Sequence, residues 1–255
     1  MGREILNISR GWTVVKLSQF KVLSFDCYGT LIDWESGIWT ALQPLIQAND
    51  VKIGRQVALA AFGRIEPEQE HETPGLVYRE LLTRVHHKIA AAWGATTAPA
   101  LDRAFGQSVP EWPAFPDTVE ALAYLKQHFK LVILSNVDRQ SFSGTNKRLG
   151  VTFDAICTAE DIGSYKPDPR NFEYLLREVE KLGCAKPDLL HTAQSLFHDH
   201  APAQAAGIAR CWINRRRETV LGGGATKAVE NMPALDFEYP TLAKMAAAHR
   251  AEIGA

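Results

Sequence analysis

Two aspartates, a lysine and a serine–asparagine pair stand at four points of this chain where an apolar run gives way to polar residues. They are Asp26 in Val22-Leu23-Ser24-Phe25-Asp26-Cys27-Tyr28-Gly29-Thr30, Ser135-Asn136, Lys166 in Ser164-Tyr165-Lys166-Pro167-Asp168-Pro169, and Asp199 in Ser195-Leu196-Phe197-His198-Asp199-His200. Such a set suits covalent catalysis through an aspartyl ester. Asp26 would attack an electrophilic centre. Lys166 would keep it ionised, because a nearby cation lowers a carboxylate's pKa, and Asp199 would direct a water onto the ester carbonyl. Thr30 and Ser135 would hydrogen-bond the nucleophile or an anionic group of the substrate, with Asn136 beside them. The competing readings are structural: Asp26 caps its turn, Lys166 is a surface lysine ahead of a helix, Ser135 ends a strand. Each is tenable for one residue and loses weight for all of them together. His198 and His200 flank Asp199 and could titrate near neutral pH; solvent-facing or packing roles are favoured for both.

These residues need elements that bring them together. Val22, Leu23 and Phe25 suit a buried strand, and Gly29 ends it, so Asp26 belongs at the strand's carboxyl end, where open α/β sheets place their ligands. After Asp33 the apolar spacing becomes helical, with Ile38, Leu42, Leu45 and Ile46 on one face and Ser36 as the cap. Further helices are expected over 57–65, 76–93 and 99–105, with no strand among them. Residues 35–112 therefore read as an all-helical cap inserted into an α/β core of 20–34 and 113–255, preceded by an extension, 1–19. Within the cap, Arg64 either pairs with a neighbouring glutamate at the surface or projects its planar fork onto a substrate carboxylate.

From the stiff Trp112–Asp117 linker onward, helices and strands alternate. Strands are expected over 130–134, 153–157, 189–194, 208–213 and 235–237. Such alternation predicts right-handed crossovers and a Rossmann-like parallel sheet with helices on both faces. The loop Leu221-Gly222-Gly223-Gly224-Ala225 lacks the Lys-Ser/Thr of a P-loop and is read as a surface turn, as is Arg215-Arg216-Arg217.

Composition narrows the class. The 255 residues carry 28 basic and 29 acidic side chains, with 46% hydrophobic and 22% charged residues. The balance argues against nucleic acid and anionic membranes as partners. Four scattered cysteines with no CxxC pair read as reduced thiols, and the first twenty residues lack an apolar signal region, so a cytoplasmic protein is expected.

The four segments in this order resemble the haloacid dehalogenase superfamily. Phosphatases of that superfamily carry a second aspartate two residues after the nucleophile, as acid and as part of a magnesium site. This chain has Tyr28 there, a phenol with an unperturbed pKa of about 10 and no hard anionic oxygen for magnesium. Gln194 and Ser195 likewise stand where metal-binding relatives usually have aspartate. The resemblance therefore implies no metal and no cofactor, and a leaving group that departs without a proton, such as halide. Asp26-Cys27-Tyr28-Gly29-Thr30-Leu31, Ser135-Asn136 and Tyr165-Lys166-Pro167-Asp168-Pro169-Arg170 are similar to the type II (S)-2-haloacid dehalogenases. Asp33-Trp34-Glu35, Glu72-Thr73-Pro74-Gly75 and His198-Asp199-His200 also resemble the azetidine-2-carboxylate hydrolases, which open a strained C–N bond. The sequence departs from the dehalogenases at Phe172, at Gln194-Ser195-Leu196 and at His198. The resemblance implies a small-molecule carboxylate as substrate, with Asp26, Lys166 and Asp199 catalytic and Tyr28, Thr30, Arg64, Ser135 and Asn136 binding. A second copy of the chain is a further candidate partner. A magnesium-dependent phosphatase and a binding protein that kept the fold are the remaining alternatives.

Overall fold

The computed structural model describes residues 15–215, 229 and 231–254; the 221–225 loop, Arg216, Arg217 and most of the N-terminal extension lie outside the described residues. Six strands, β1 (Val22–Phe25), β2 (Lys130–Ser135), β3 (Ala155–Thr158), β4 (Leu189–Ala193), β5 (Ala209–Ile213) and β6 (Phe237–Tyr239), form one sheet in the order β3-β2-β1-β4-β5-β6. Every pairing is parallel. The chain steps from β1 outward to β2 and β3 and then returns to β4 on the other side of β1. The order thus reverses beside β1, the place at which such sheets open a crevice at their carboxyl ends. Among the described residues, no helix is long and apolar enough to cross a membrane.

Because strand side chains alternate between faces, β1 feeds two cores. Leu23 and Phe25 pack with Leu131 and Ile133 against α5 (Thr118–Leu125), α6 (Arg139–Leu149) and α10 (Leu242–Ile253). Val22 packs with Val132, Leu134 and Leu189 against α8 (Pro169–Lys181) and α9 (Ala201–Ala205). A short helix, α7 (Ala159–Ile162), precedes the Lys166 loop. Strands covered on both faces read as unbroken apolar runs, which is why they stand out in the sequence.

Between β1 and β2 lie α1 (Trp34–Asn49), α2 (Arg55–Glu72), α3 (Tyr78–Ala92) and α4 (Pro99–Gly106). The outgoing and returning segments run side by side: Asp33 N–H donates to Pro113 O (2.8 Å), Phe115 N–H to Leu31 O (3.0 Å) and the Thr118 hydroxyl to Leu31 O (2.9 Å).

Two local expectations are corrected. Asp33 rather than Ser36 caps α1: its carboxylate accepts from the Ser36 N–H (3.2 Å) and hydroxyl (2.6 Å), and a carboxylate also complements the helix dipole. The second helix does not stop before the acidic, proline-containing segment but runs through Pro67 to Glu72. Proline removes one internal hydrogen bond; burial of Phe62, Ile65, Gln69 and Glu70 along one face offsets that loss.

The inserted helices close tightly on the return linker at Gly37, where an added Cβ would lie 2.2 Å from Cγ of the buried Trp112. Overpacking typically costs about 1–3 kcal/mol, against a helix-propensity gain of about 1 kcal/mol. Gly37→Ala is expected to lower stability by about 1 kcal/mol in urea unfolding, the middle of the difference between those two ranges; an unchanged or raised midpoint would contradict this packing.

Candidate active site

Asp26 follows β1 directly, and its N–H is held by Thr192 O of β4 (3.1 Å). Lys166 enters from the loop after α7, and its ammonium donates to Asp26 Oδ1 (3.0 Å), Asp199 Oδ1 (2.6 Å) and Leu134 O of β2 (3.0 Å). An ammonium has three donors, so all are used. The lysine side chain is 2% exposed and Asp199's 1%, so these are interior ion pairs. Asp199 reaches them from a single π-helical turn, Leu196–His200, a distortion frequent at functional sites.

The two carboxylates differ electrostatically. Burial acts to raise both. At Asp199 this is outweighed by Lys166 and by His191, whose Nε2 lies 3.0 Å from the shared Oδ1, and the carboxyl is held well below the usual range. At Asp26 burial prevails: Lys166 and the Thr30 hydroxyl (2.8 Å to Oδ2) pull the pKa down, the Asp199 charge pushes it up, and the net direction is upward. Burial likewise works against the Lys166 charge, but Asp199 and Asp26 together hold its pKa above the ordinary lysine value.

The remaining expected residues fall as follows. Thr30 also accepts from the Gln194 N–H (2.9 Å), tying the Asp26 loop to the end of β4. Asn136 locks the Lys166 loop reciprocally, its Oδ1 accepting from Lys166 N–H (2.7 Å) and its amide donating to Lys166 O (3.1 Å). The Ser135 hydroxyl is 2% exposed and, like Asp199 Oδ2, has no hydrogen-bond partner among the described residues. Tyr28 lines the same cleft, but its hydroxyl is engaged by Thr145 Oγ1 (3.0 Å) and its ring meets Trp112 edge-on. Arg64 is not brought to the cleft: its side chain is 60% exposed and lies 3.8 Å from Glu68 on the outer face of α2. His198 lines the cleft, whereas His200 is buried behind it against Ala193 O (2.9 Å), with burial lowering its pKa to about 4.

Beside Trp34 of the Asp33-Trp34-Glu35 segment, the cleft also contains residues that no motif in the sequence marks, Glu66 and Tyr78. Trp34, Glu66 and Tyr78 line it from the inserted helices. Tyr78 donates to Glu66 Oε1 (3.2 Å), and one turn on, Glu70 Oε1 accepts from the Asn136 amide (3.3 Å). Burial lifts the Glu66 pKa to about 7. Behind Asp199, His191 bridges to the Ser24 hydroxyl (2.8 Å) across β1 and β4. Arg215, expected on a solvated loop, instead pairs with Asp117 (2.6 Å) and donates to Thr30 O (2.8 Å), clamping the Asp26 loop from outside. Helical spacing past Pro67 would have revealed Glu66 and Glu70; nothing local in the sequence distinguishes His191 or Arg215.

The cleft holds about 60 Å³, where a single water needs about 10–15 Å³. That suits a molecule of a few heavy atoms. Its donor set suits magnesium poorly, because Lys166 Nζ already fills the space between the two carboxylates and hard-cation sites need several free oxygens.

The profile of the haloacid dehalogenase-like hydrolases matches residues 20–188. Over 123 residues, 46% of this chain, the sequence is 32% identical to a Pseudomonas putida (S)-2-haloacid dehalogenase, and the match spans 52% of that protein, about half its length. It is 26% identical over 199 residues to (S)-2-haloacid dehalogenase 1 of a Pseudomonas species, covering 75% of this chain and 83% of the relative. Among solved structures, the L-2-haloacid dehalogenase of Xanthobacter autotrophicus with chloropropionic acid covalently bound superposes with a TM-score of 0.74 at 18% identity, over 91% of this chain and 98% of that one. At that identity the likeness is one of fold.

Removing one partner of a buried ion pair typically costs about 3–5 kcal/mol, because the other charge is left uncompensated. Lys166→Met is expected to lose about that much in urea unfolding at pH 7.5. Without the ammonium, the native-state pKa values of Asp26 and Asp199 rise above their unfolded values, so their ionisation opposes folding and the deficit shrinks as pH falls and they protonate. A deficit below about 1 kcal/mol, or one that grows on acidification, would contradict the assigned electrostatics.

Proposed function

The chain belongs to the haloacid dehalogenase-like hydrolases, and from that premise we propose that it hydrolyses a short 2-substituted carboxylic acid through an ester on Asp26. The observation that carries this is the shared ammonium: Lys166 lies 3.0 Å from one carboxylate and 2.6 Å from another at the floor of a small cleft. Two carboxylates whose environments push their pKa values apart divide their roles. Asp26, the more basic, is the nucleophile; Asp199, held ionised, orients the water.

In the first step an Asp26 oxygen attacks C2, and the leaving group departs with the bonding electron pair. A halide leaves as a stable anion and needs no proton. The ester carbonyl stays beside Lys166 and Thr30, which stabilise the negative charge that develops when water adds. Asp199 Oδ2, buried and without a hydrogen-bond partner among the described residues, is the oxygen that accepts a hydrogen bond from that water. Its depressed pKa makes it a weak base, so it acts mainly by alignment. Collapse of the adduct breaks the bond between the Asp26 carbonyl carbon and the substrate oxygen; one proton of the added water passes to that oxygen as the 2-hydroxy acid leaves, and the other is released to solvent as the carboxylate is restored. The inserted helices act as the cap that supplies the far wall. A magnesium-dependent phosphoryl transfer has no support in the donor set.

A second reading, a strained C–N bond next to the carboxylate as in azetidine-2-carboxylate hydrolysis, is favoured by one observation, the Glu66 carboxyl on the cap side of the cleft. A protonated ring nitrogen leaves as a neutral amine, so the same two steps apply.

General-base assistance is typically worth about 10²–10⁴-fold. With (S)-2-chloropropanoate and azetidine-2-carboxylate as probes, Asp199→Asn is expected to slow the second step by about 10²-fold, so that intact-mass measurement shows an adduct on the Asp26 peptide. The double variant with Asp26→Asn should show none. Normal turnover by Asp199→Asn together with a trapped adduct in His198→Ala would assign the water to the histidine instead.

A further inference from the structure

The hydrogen-bond chain behind Asp199 has a direction. Ser24 on β1 and His191 on β4 are partner positions on adjacent strands, so their side chains leave the sheet on the same face, and both are fully buried. His191 Nδ1 lies 2.8 Å from the Ser24 hydroxyl, and Nε2 lies 3.0 Å from Asp199 Oδ1. An ionised carboxylate only accepts, so Nε2 carries the proton of the second contact. Among the described residues the Ser24 hydroxyl has no other hydrogen-bond partner, and its own proton therefore goes to Nδ1. A proton on Nδ1 would leave that hydroxyl proton buried without an acceptor, which is costly. Phe172, where the chain departs from the dehalogenases, packs edge-on against the imidazole (5.4 Å between ring centres) and offers no competing hydrogen bond.

This chain acts on Asp199. The carboxylate turns about a soft, two-fold torsion, and one donor would hold an oxygen without fixing the plane. Oδ1 has two donors from different parts of the fold, Lys166 Nζ (2.6 Å) on the loop after α7 and His191 Nε2 (3.0 Å) on β4. Exchanging the two oxygens would break both bonds. With Oδ1 pinned, Oδ2 is the oxygen left for the cleft. Lys166 cannot do this alone, because it is shared with Asp26, whose charge disappears when the ester forms. The His191 contact does not involve Asp26 and is the same before and after that step.

We propose that His191, its tautomer set by Ser24, is a positioning residue that holds Asp199 Oδ1 throughout the cycle so that Oδ2 aligns the water on the ester; this rests on the Asp26 ester and assigns its second step a residue that no motif marks. The sheet thereby reaches the π-helical turn that carries Asp199. Ser24 and His191 touch neither substrate nor water, and their effect passes entirely through the orientation of one carboxylate.

The test separates the two steps. His191→Phe keeps a ring against Phe172 and removes the donor, whereas His191→Gln places an amide N–H near Nε2 and restores it; matching thermal unfolding verifies both folds. Misplacing a reacting group by about 1 Å can cost about 10²-fold, so His191→Phe, which keeps Lys166 on Asp199, should hydrolyse the Asp26 adduct at least about 10-fold more slowly. In rapid-quench intact-mass measurements with (S)-2-chloropropanoate and azetidine-2-carboxylate the adduct should form as fast as in the wild type and then accumulate; kcat falls while kcat/KM, which reports the first step, holds. His191→Gln should recover most of the loss. Equal slowing of both steps, an unslowed second step, or a glutamine variant as slow as the phenylalanine one would overturn the proposal. A second measurement needs no substrate. Long-range proton–nitrogen correlation on histidine-labelled wild type at pH 7.5, with His191 identified by its loss from the His191→Gln spectrum, should place the proton on Nε2 alone, and a ring protonated on Nδ1 would overturn the proposal. Should neither acid be consumed, or no variant form an adduct on Asp26, the ester reading is what fails, and crystal structures decide: a turned or multiply placed Asp199 carboxylate in His191→Phe alone supports the positioning role, and an unchanged one overturns it.

Discussion

One buried ammonium must satisfy two carboxylates. An isolated charge withdrawn from water costs several kcal/mol, so Lys166, 2% exposed, is tolerable only while Asp26, Asp199 and Leu134 O occupy its three donors. The count still leaves one negative charge in excess, and the structure distributes it unevenly. Asp199 receives His191 as well as Lys166 and is held firmly ionised. Asp26 keeps the cleft-facing position and the higher proton affinity, the properties wanted in an attacking oxygen.

Holding that arrangement uses the middle of the sheet. β1 delivers Asp26, β2 delivers Leu134 O and Ser135, and β4 delivers His191, so the atoms around Lys166 Nζ are anchored on three adjacent hydrogen-bonded strands. Sites built on such elements are held more accurately than sites on loops. The groups that do come from loops are tied back individually. Asn136 clasps the Lys166 backbone on both sides, Thr30 joins the Asp26 loop to Gln194, and Arg215 anchors Thr30 O to the segment returning from the inserted helices. On the far side the inserted helices share the apolar cluster of the core and add polar ties to it. Arg79 reaches the buried Asp138 (2.8 Å), and the Tyr165 hydroxyl donates to Leu76 O. The inserted helices are thus joined to the rim of the site by apolar packing, by hydrogen bonds and by a partly exposed ion pair.

The parallel sheet and the Asp26, Lys166 and Asp199 segments were legible because each lies where an unbroken apolar run ends, and a strand covered on both faces writes that run plainly into the sequence. Other parts were hidden for particular reasons. Pro67 reads as a helix stop, which hides the face that aligns Phe62, Glu66 and Glu70, and Arg64, on the solvent side of that helix, stands out in its place. His191 lies inside a buried strand and acquires meaning through Asp199, brought round by the π-helical turn, and through Ser24, 167 residues away in the chain. Arg215 looked like one of three loop arginines until Asp117, brought near by the fold, gave it a partner. Motif residues at strand ends announce themselves; residues whose role comes from a long-range partner do not.

The central claim is that an Asp26 oxygen ends up in the product. A single turnover in oxygen-18 water with enzyme in excess, followed by mass analysis of product and of the Asp26 peptide, tests it directly, with (S)-2-chloropropanoate and azetidine-2-carboxylate as probes. The ester route predicts unlabelled hydroxy acid and one heavy oxygen on Asp26. Heavy oxygen in the first product molecule, with the Asp26 peptide unlabelled, would mean that water attacks the substrate directly, and would contradict the account.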